Sequence, residues 1–379
     1  MNLVLNEEQL MLQQSARDFF DREAPLSQLR GLRDSAVTEG FSRATWHSMS
    51  ELGWPAMVVP EAYQGLGFGF TGLGVVLQQA GRTLTASPLL SSALMGVAAL
   101  LRGASEEQKR HYLPAVASGE HLLTLANDER SGPAGLHIAC RAETDADDYV
   151  LNGSKLSVLD GVSADTLIVS ARTRGQAHET DGVALFLVPR QTAGVAVARR
   201  QALDICVLAD VELTDVRVPA TALLGTAHGG HDTLQYALDA GRIGQAAELC
   251  GLASEVFERT LAYLKERKQF GLPIGSFQAL QHRAAILFGE LELCQSMVID
   301  ALHCLDEGRE DLAETASATK AKVSEIALLS GAEAIQMHGG IGMTDDFDIG
   351  FFYKRARILE TLLGDRYYHL DRFARCRGY

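Results

Sequence analysis

Apolar positions recur at helical spacing towards both ends of the chain and at strand spacing between them. Over residues 7–21, Leu10, Leu12, Ala16, Phe19 and Phe20 fall roughly on one face of an amphipathic helix. A second helix is expected from about Ser42, with Trp46, Met49 and Leu52 turned inward and Gly53 ending it. Residues 60–67 read as a loop, and 73–84 and 89–101 as further helices. Ser105-Glu106-Glu107-Gln108 opens another, because the serine can cap and the acids suit the positive helix end. It is expected to end near Gly119.

The period changes after residue 120. Residues 165–171, 183–188 and 195–197 are β-branched runs bounded by Gly, Pro and charge. Residues 211–219 alternate apolar and polar, as a half-buried antiparallel strand does. Helical spacing returns near Gly229: Leu234, Leu238, Leu249, Leu252 and Val256 share one face of a long helix. Gly241, Gly244 and Gly251 weaken that helix by about 1 kcal/mol each relative to Ala. Close approach of another helix or of a ligand is the expected reason. Residues 278–307, 312–338 and 351–375 predict three more helices, and four long helices on short turns predict an antiparallel bundle. The expectation is an α+β, mainly α protein. A helical domain spans 1–120, an antiparallel β-domain 121–225 and a four-helix bundle 226–379.

Composition narrows the function. The 379 residues are 47% hydrophobic, enough for large cores, and the net charge of −14 offers no basic footprint for nucleic acid or an anionic membrane. No apolar run approaches the ~20 residues of a membrane span. The first eight residues lack the basic-then-apolar order of a signal peptide. The six cysteines are scattered, so buried free thiols and a cytoplasmic location are expected. The eleven histidines predict no metal site, and His228-Gly229-Gly230-His231 reads as a solvated loop.

Candidate chemistry lies near the C-terminus. Gln336-Met337-His338-Gly339-Gly340-Ile341-Gly342 ends a helical run on bare backbone, which suits a dinucleotide or a plain C-cap and turn. Arg267-Lys268-Gln269-Phe270-Gly271 ends another, and Ile274 and Gln278 follow. Alone, Arg267 could simply neutralise helix-end carbonyls. Together the two stretches resemble the Arg-x-x-Phe-Gly and Gln-x-x-Gly-Gly-x-Gly turns of the acyl-CoA dehydrogenase family. Residues 60–67 resemble its Pro-Glu-x-x-Gly-Gly-x-Gly loop, so the likeness covers nearly the whole chain.

The resemblance implies α,β-desaturation of an acyl-CoA with FAD as cofactor. It also implies electron-transferring flavoprotein as acceptor, and a tetramer in which both turns touch FAD held mainly by a neighbouring subunit. Arg267, Gln269, Phe270, Ile274, Gln278, Gln336, Gly339 and Gly340 are the implied contacts. The family's base is a carboxylate in a Tyr-Glu-Gly-Thr turn, and here Leu362-Leu363-Gly364-Asp365 stands there, with Leu363 in the glutamate's place. A minority of the family carries the base on the long helix, where this chain has Gly241. Asp365, Glu360 and Glu248 remain as relocated candidates. Glu360 is placed on one helix face with Leu363, and Glu248 is set against a salt-bridging role. Arg242 suits a structural or a pocket role equally, and His338 reads as a helix-end residue.

The β-domain departs too. Asp128-Glu129-Arg130 replaces the family's Thr-Glu-Pro turn. After an Asn152-Gly153 turn, Ser157 and Leu159 replace the tryptophan and threonine that line the flavin. Contacts to a neighbour's FAD are kept while those to the chain's own are changed. That asymmetry resembles the small, or β, subunits of heteromeric α₂β₂ acyl-CoA dehydrogenases, such as the small subunit of pimeloyl-CoA dehydrogenase. Dicarboxylyl or steroid-side-chain thioesters are the substrates of that subgroup. A self-sufficient dehydrogenase with a relocated base, a non-catalytic scaffold and a flavin monooxygenase stay open beside it. Gly241 and Gly244 leave room for a bulky acyl group.

Overall fold

The computed structural model describes residues 3–35, 37–131 and 136–379. Six α-helices come first: α1 Glu7–Glu23, α2 Leu26–Asp34, α3 Arg43–Glu51, α4 Phe70–Arg82, α5 Val97–Gly103 and α6 Glu106–Ala117. A π-helical stretch, Leu89–Gly96, leads into α5. Ser105 caps α6 through a reciprocal box, its side chain accepting from Gln108 N while the Gln108 carboxamide accepts from Ser105 N. Asn6 and Gln9 do the same for α1. In α1 the buried residues are Ala16, Phe19 and Phe20, whereas Leu10 is exposed, as is Leu52 after α3. Helix α2, nine residues long, was not expected.

Eight strands follow: β1 Leu123–Ala126, β2 Arg141–Asp145, β3 Asp148–Leu159, β4 Thr166–Arg172, β5 Val183–Pro189, β6 Val195–Arg200, β7 Leu208–Pro219 and β8 Leu223–Leu224. They form one sheet in the order β6-β7-β3-β2-β4-β5-β8, with β1 beside β4. Pairing is antiparallel except for β1 and β2 against β4, where Leu123 meets Thr166 and Arg141 meets Arg172 in parallel. The expected Asn152-Gly153 turn lies inside β3 instead. The register slips between Leu151 and Gly153, and Gly153 takes φ 152° where a Cβ would stand 2.8 Å from Cys140 Cα. A glycine there marks a bulge under a close neighbour. Leu151, Leu167, Val169, Phe186, Val211, Leu213 and Val216 share the sheet core.

The last third holds α7 Gly230–Glu266, a two-residue hairpin of β9 Lys268–Gln269 and β10 Leu272–Pro273, α8 Gln278–Glu307, α9 Leu312–His338, α10 Ile349–Thr361 and α11 Arg366–Cys376. His231, expected in a loop, lies in the first turn of α7. The single helix expected over 351–375 is broken at residues 362–365, where Leu363 and Gly364 take φ 61° and 106°. Glu360 therefore shares no helix face with Leu363. Cys140, Cys250, Cys294 and Cys304 are buried free thiols, but Cys376 is exposed. No helix among the described residues is long and apolar enough to cross a membrane.

By its contacts the chain forms two compact units. One holds residues 1–31, 74–85 and 242–379; the other holds 32–73 and 86–241. In the first, α9 packs against α8, α10 and α11. Gly251 of α7 sits directly on the Gln78 carbonyl of α4, and Gly81 on that of Glu248, so a Cβ at either would overlap backbone. The close approach expected of Gly251 is thus that of α4. The second unit carries the sheet.

Candidate functional site

Two turns lie at the ends of α7 and α9. After Glu266 the hairpin is closed by Ile274 N donating to Arg267 O at 2.8 Å. Phe270 tops it at φ 53°, 91% exposed, with its ring edge-on to Phe277 at 6.1 Å. Burying such a phenylalanine would be worth about 1.5–3 kcal/mol. Arg267, Gln269 and Gln278 are exposed beside it, and Ile274 is half-buried.

Helix α9 ends at His338, and Gly339 turns the chain with φ 68° and ψ −143°. Only glycine takes that conformation readily. A Cβ on Gly339 or Gly340 would meet nothing within 4 Å, so bare backbone faces open space. Gln336 is exposed one turn earlier. The His338 ring stacks on Tyr263 at 4.2 Å between centroids, and Tyr263 Oη donates to His338 O at 3.3 Å. Tyr263 lies one helical turn before Arg267, so this stack draws the two turns to one end of their unit. Burial holds the His338 imidazole below its ordinary pKa, and Nδ1 bonds Ala334 O at 2.7 Å.

The break between α10 and α11 has its own partners. Leu363 O accepts from Arg242 Nε and from His369 Nε2, each at 3.1 Å. Lys320, fully buried on α9, donates to Leu359 O at 2.7 Å and Glu360 O at 3.2 Å, closing the end of α10. Burial pushes the Lys320 ammonium down to about 7, against the pull of Glu360. Burial, with the charges of Arg242, Lys320 and Arg372, pushes His369 down to about 2. The neutral imidazole therefore grips the turn. Arg242, Lys320 and a neutral His369 thus hold a turn whose side chain at 363 is aliphatic.

Each nearby carboxylate has a structural use. Asp365 caps α11, accepting from Tyr368 N at 2.8 Å. Glu360 accepts from Arg357 Nη1 at 3.3 Å and Arg366 N at 3.4 Å. Glu248 pairs with Arg355 at 3.1 Å in a buried contact. Gly241 is buried in α7.

In the sheet unit, Glu129 is fixed by Lys155 at 2.5 Å and by the backbone N–H groups of Ala139 and Cys140. Leu156 N donates to Asp128 O at 2.6 Å. Ser157 takes φ 54°, its N–H donating to Asp210, which pairs with Arg200. Leu159 O accepts from Thr124 Oγ1 at 2.5 Å. Asp128 and Glu129 thus meet Leu156 and Lys155, just before Ser157, through one backbone bond and one buried ion pair.

Sequence reasoning missed Lys320, His369 and the Lys155–Glu129 pair. Lys320 had a signal: it interrupts the apolar positions Ala316, Val323 and Ala327, all buried on α9. Among the described residues no group of His, Cys, Asp and Glu could hold a metal.

Family profiles described as the N-terminal, middle and C-terminal domains of acyl-CoA dehydrogenase match residues 6–120, 127–216 and 228–376. A probable acyl-CoA dehydrogenase of Bacillus subtilis, YngJ, is 32% identical over 95% of each chain. A solved Tcur3481-Tcur3483 steroid ACAD variant superposes with TM-score 0.87 at 29% identity over 97% of each chain. The ChsE4-ChsE5 complex of Mycobacterium tuberculosis gives TM-score 0.89 at 25% identity, covering 99% of this chain and 98% of that one.

Proposed function

This chain belongs to the acyl-CoA dehydrogenase family, whose cofactor is FAD, and from that premise we propose that it works as one subunit of a hetero-oligomer and completes a partner chain's FAD site without supplying a base. The observation that carries this reading is the turn at 362–365. The sequence register sets Leu363 at the family's carboxylate position, and in support of that reading Asp365, Glu360 and Glu248 are each committed to a cap or an ion pair. A residue acting as general base needs a carboxylate free to reach the α-proton.

FAD supplies the hydride acceptor for the desaturation. The residues of this chain proposed to hold it are Arg267, Gln269, Phe270, Ile274, Gln278, Gln336, Gly339 and Gly340. Their fit rests on an exposed aromatic, an exposed cation and two glycines whose backbone faces open space. Arg242 and His369 hold the turn that would face the acyl-CoA. The substrate reading is an acyl-CoA with a bulky or branched acyl group, consistent with the steroid enzyme among the similar structures. The partner is proposed to be another acyl-CoA dehydrogenase chain, in α₂β₂ form, with electron-transferring flavoprotein as acceptor in the cytoplasm. The ChsE4-ChsE5 likeness supports a heteromer.

The test compares turnover of an acyl-CoA by the homogeneous chain, reconstituted with FAD, against turnover by the chain co-purified with a partner dehydrogenase. The reading predicts activity only in the second. Turnover by the homogeneous chain would sink it.

A further inference from the structure

Three aromatic rings meet beside the glycine turn. Tyr263 of α7 stacks on His338 at 4.2 Å between centroids, with 28° between the planes. Phe347 approaches the His338 ring at 5.1 Å and the Tyr263 ring at 6.3 Å. His338 is buried, and Tyr263 and Phe347 are half-buried. The cluster reaches both turns through the backbone. On α7, Arg267 N donates to Tyr263 O at 2.8 Å, so the Tyr263 ring sits one helical turn before the hairpin that carries Phe270. On α9, Tyr263 Oη donates to His338 O at 3.3 Å.

That carbonyl belongs to the peptide that leads into Gly339. The N–H of the same peptide bonds Gln336 O and Ile335 O. A peptide is planar, so fixing both its oxygen and its N–H fixes the direction in which the chain leaves α9. The next residue is a glycine with little conformational preference of its own. A Cβ on Gly339 or Gly340 would meet nothing within 4 Å, so that side lends the loop no support. The chain is anchored again only at Phe347, in the same ring cluster, and at Asp345 and Asp348. Arg30 of α2 donates to Asp345 O and to Asp348 Oδ1, each at 2.7 Å. A ligand gripped by two turns on different helices binds well only if their spacing is set before it arrives.

We propose that Tyr263 and His338 are positioning residues: their stack and the bond between them hold the Gly339–Gly340 backbone in register with the Arg267–Gly271 hairpin, so that the two turns engage one FAD together. The proposal rests on the reading that these turns hold FAD, and not on which chain supplies the base.

The test measures FAD affinity of the flavin-stripped assembly by equilibrium dialysis, with thermal melting of the flavin-free assemblies alongside. Tyr263→Phe keeps the ring and loses only the bond to His338 O. It should bind FAD about three- to tenfold more weakly and melt as wild type does. Tyr263→Leu and His338→Ala should each lose about ten- to a hundredfold, and His338→Phe, which keeps a ring in the stack, should recover most of that loss. Phe270→Ala should cost less in the Tyr263→Leu background than in wild type, because a hairpin out of register has less to lose. A Tyr263→Phe assembly that binds FAD as wild type does would overturn the proposal, as would strictly additive losses in the Tyr263→Leu, Phe270→Ala double variant. A loss of affinity that tracks a lower melting temperature of the flavin-free assembly would also overturn it. Unchanged FAD affinity in both Phe270→Ala and Arg267→Ala would instead remove the reading beneath it, that these turns hold FAD.

Discussion

Leu363→Glu should install the missing base. Both hydrogen bonds that fix this turn end on the Leu363 carbonyl, from Arg242 and His369, so the side chain can change without breaking either. The residue is only half-buried and already holds φ 61°, so the exchange removes part of one apolar contact. The new carboxylate would share its residue with a carbonyl bonded to the Arg242 guanidinium. A cation that close lowers a carboxyl pKa by about 1–3 units, which keeps the group ionised at pH 7. A positioned general base contributes about 10²–10⁴ in rate, or about 2.7–5.5 kcal/mol of barrier. The assay is deuterium wash-in at the α-carbon of an acyl-CoA in D₂O, with the flavin-loaded assembly whose partner chain has had its own base removed. The variant should exchange at least a hundredfold faster than wild type. Two results would refute the reasoning: no gain in a variant that still binds flavin and thioester, or a wild type that already exchanges at the variant's rate.

Further outcomes follow from the structure. The unfolded His369 imidazole takes a proton below about 6.5, which the folded one, held near 2, refuses. That stability is full above pH 6.5 and falls by up to about 1.4 kcal/mol per unit below it, so the decline in urea midpoint between pH 6.5 and 5 should flatten in His369→Gln. Lys155→Met leaves Glu129 buried against no cation and should cost about 3–5 kcal/mol, with part recovered in the Lys155→Met, Glu129→Gln double variant on denaturant titration. Gly251→Ala forces α7 off the Gln78 carbonyl and should lose about 1–3 kcal/mol. Gly289→Ala, on an exposed open stretch of α8, should instead gain about 1 kcal/mol; melting curves read both. Arg267→Ala and Phe270→Ala alter exposed side chains, so the chain's own stability should stay within about 0.5 kcal/mol while FAD retained by the assembly, read from its absorbance, falls.

The fold was legible where one local rule decides. Ser105 with Gln108 marked the start of α6, and the β-branched runs marked β4 and β5 almost to the residue. The strict alternation in β7 also holds, apart from a slip at Asp215, which takes φ 50°. It was not legible where tertiary contact overrides local signal. Asn152-Gly153 is turn chemistry by composition, yet β3 runs through it because β2 and β7 pair on either side. The break in the last helix depends on Asp365 capping α11 and on Lys320 closing α10, and a lysine in another helix leaves no mark on the local pattern. At the site, the two glycine- and arginine-bearing turns stood out because their glycines are dictated by backbone. The polar residues that close the 362–365 turn did not, since a lysine on a helix usually faces water. The interruption of an apolar stripe was the available signal for Lys320.

The central claim is that this chain completes another's flavin site. The most direct test is the flavin absorbance and native mass of the chain purified alone, and again after co-expression with another acyl-CoA dehydrogenase chain. The account predicts a colourless chain that gains about one FAD per two subunits in an α₂β₂ assembly. A yellow homotetramer with one FAD in every subunit would contradict it.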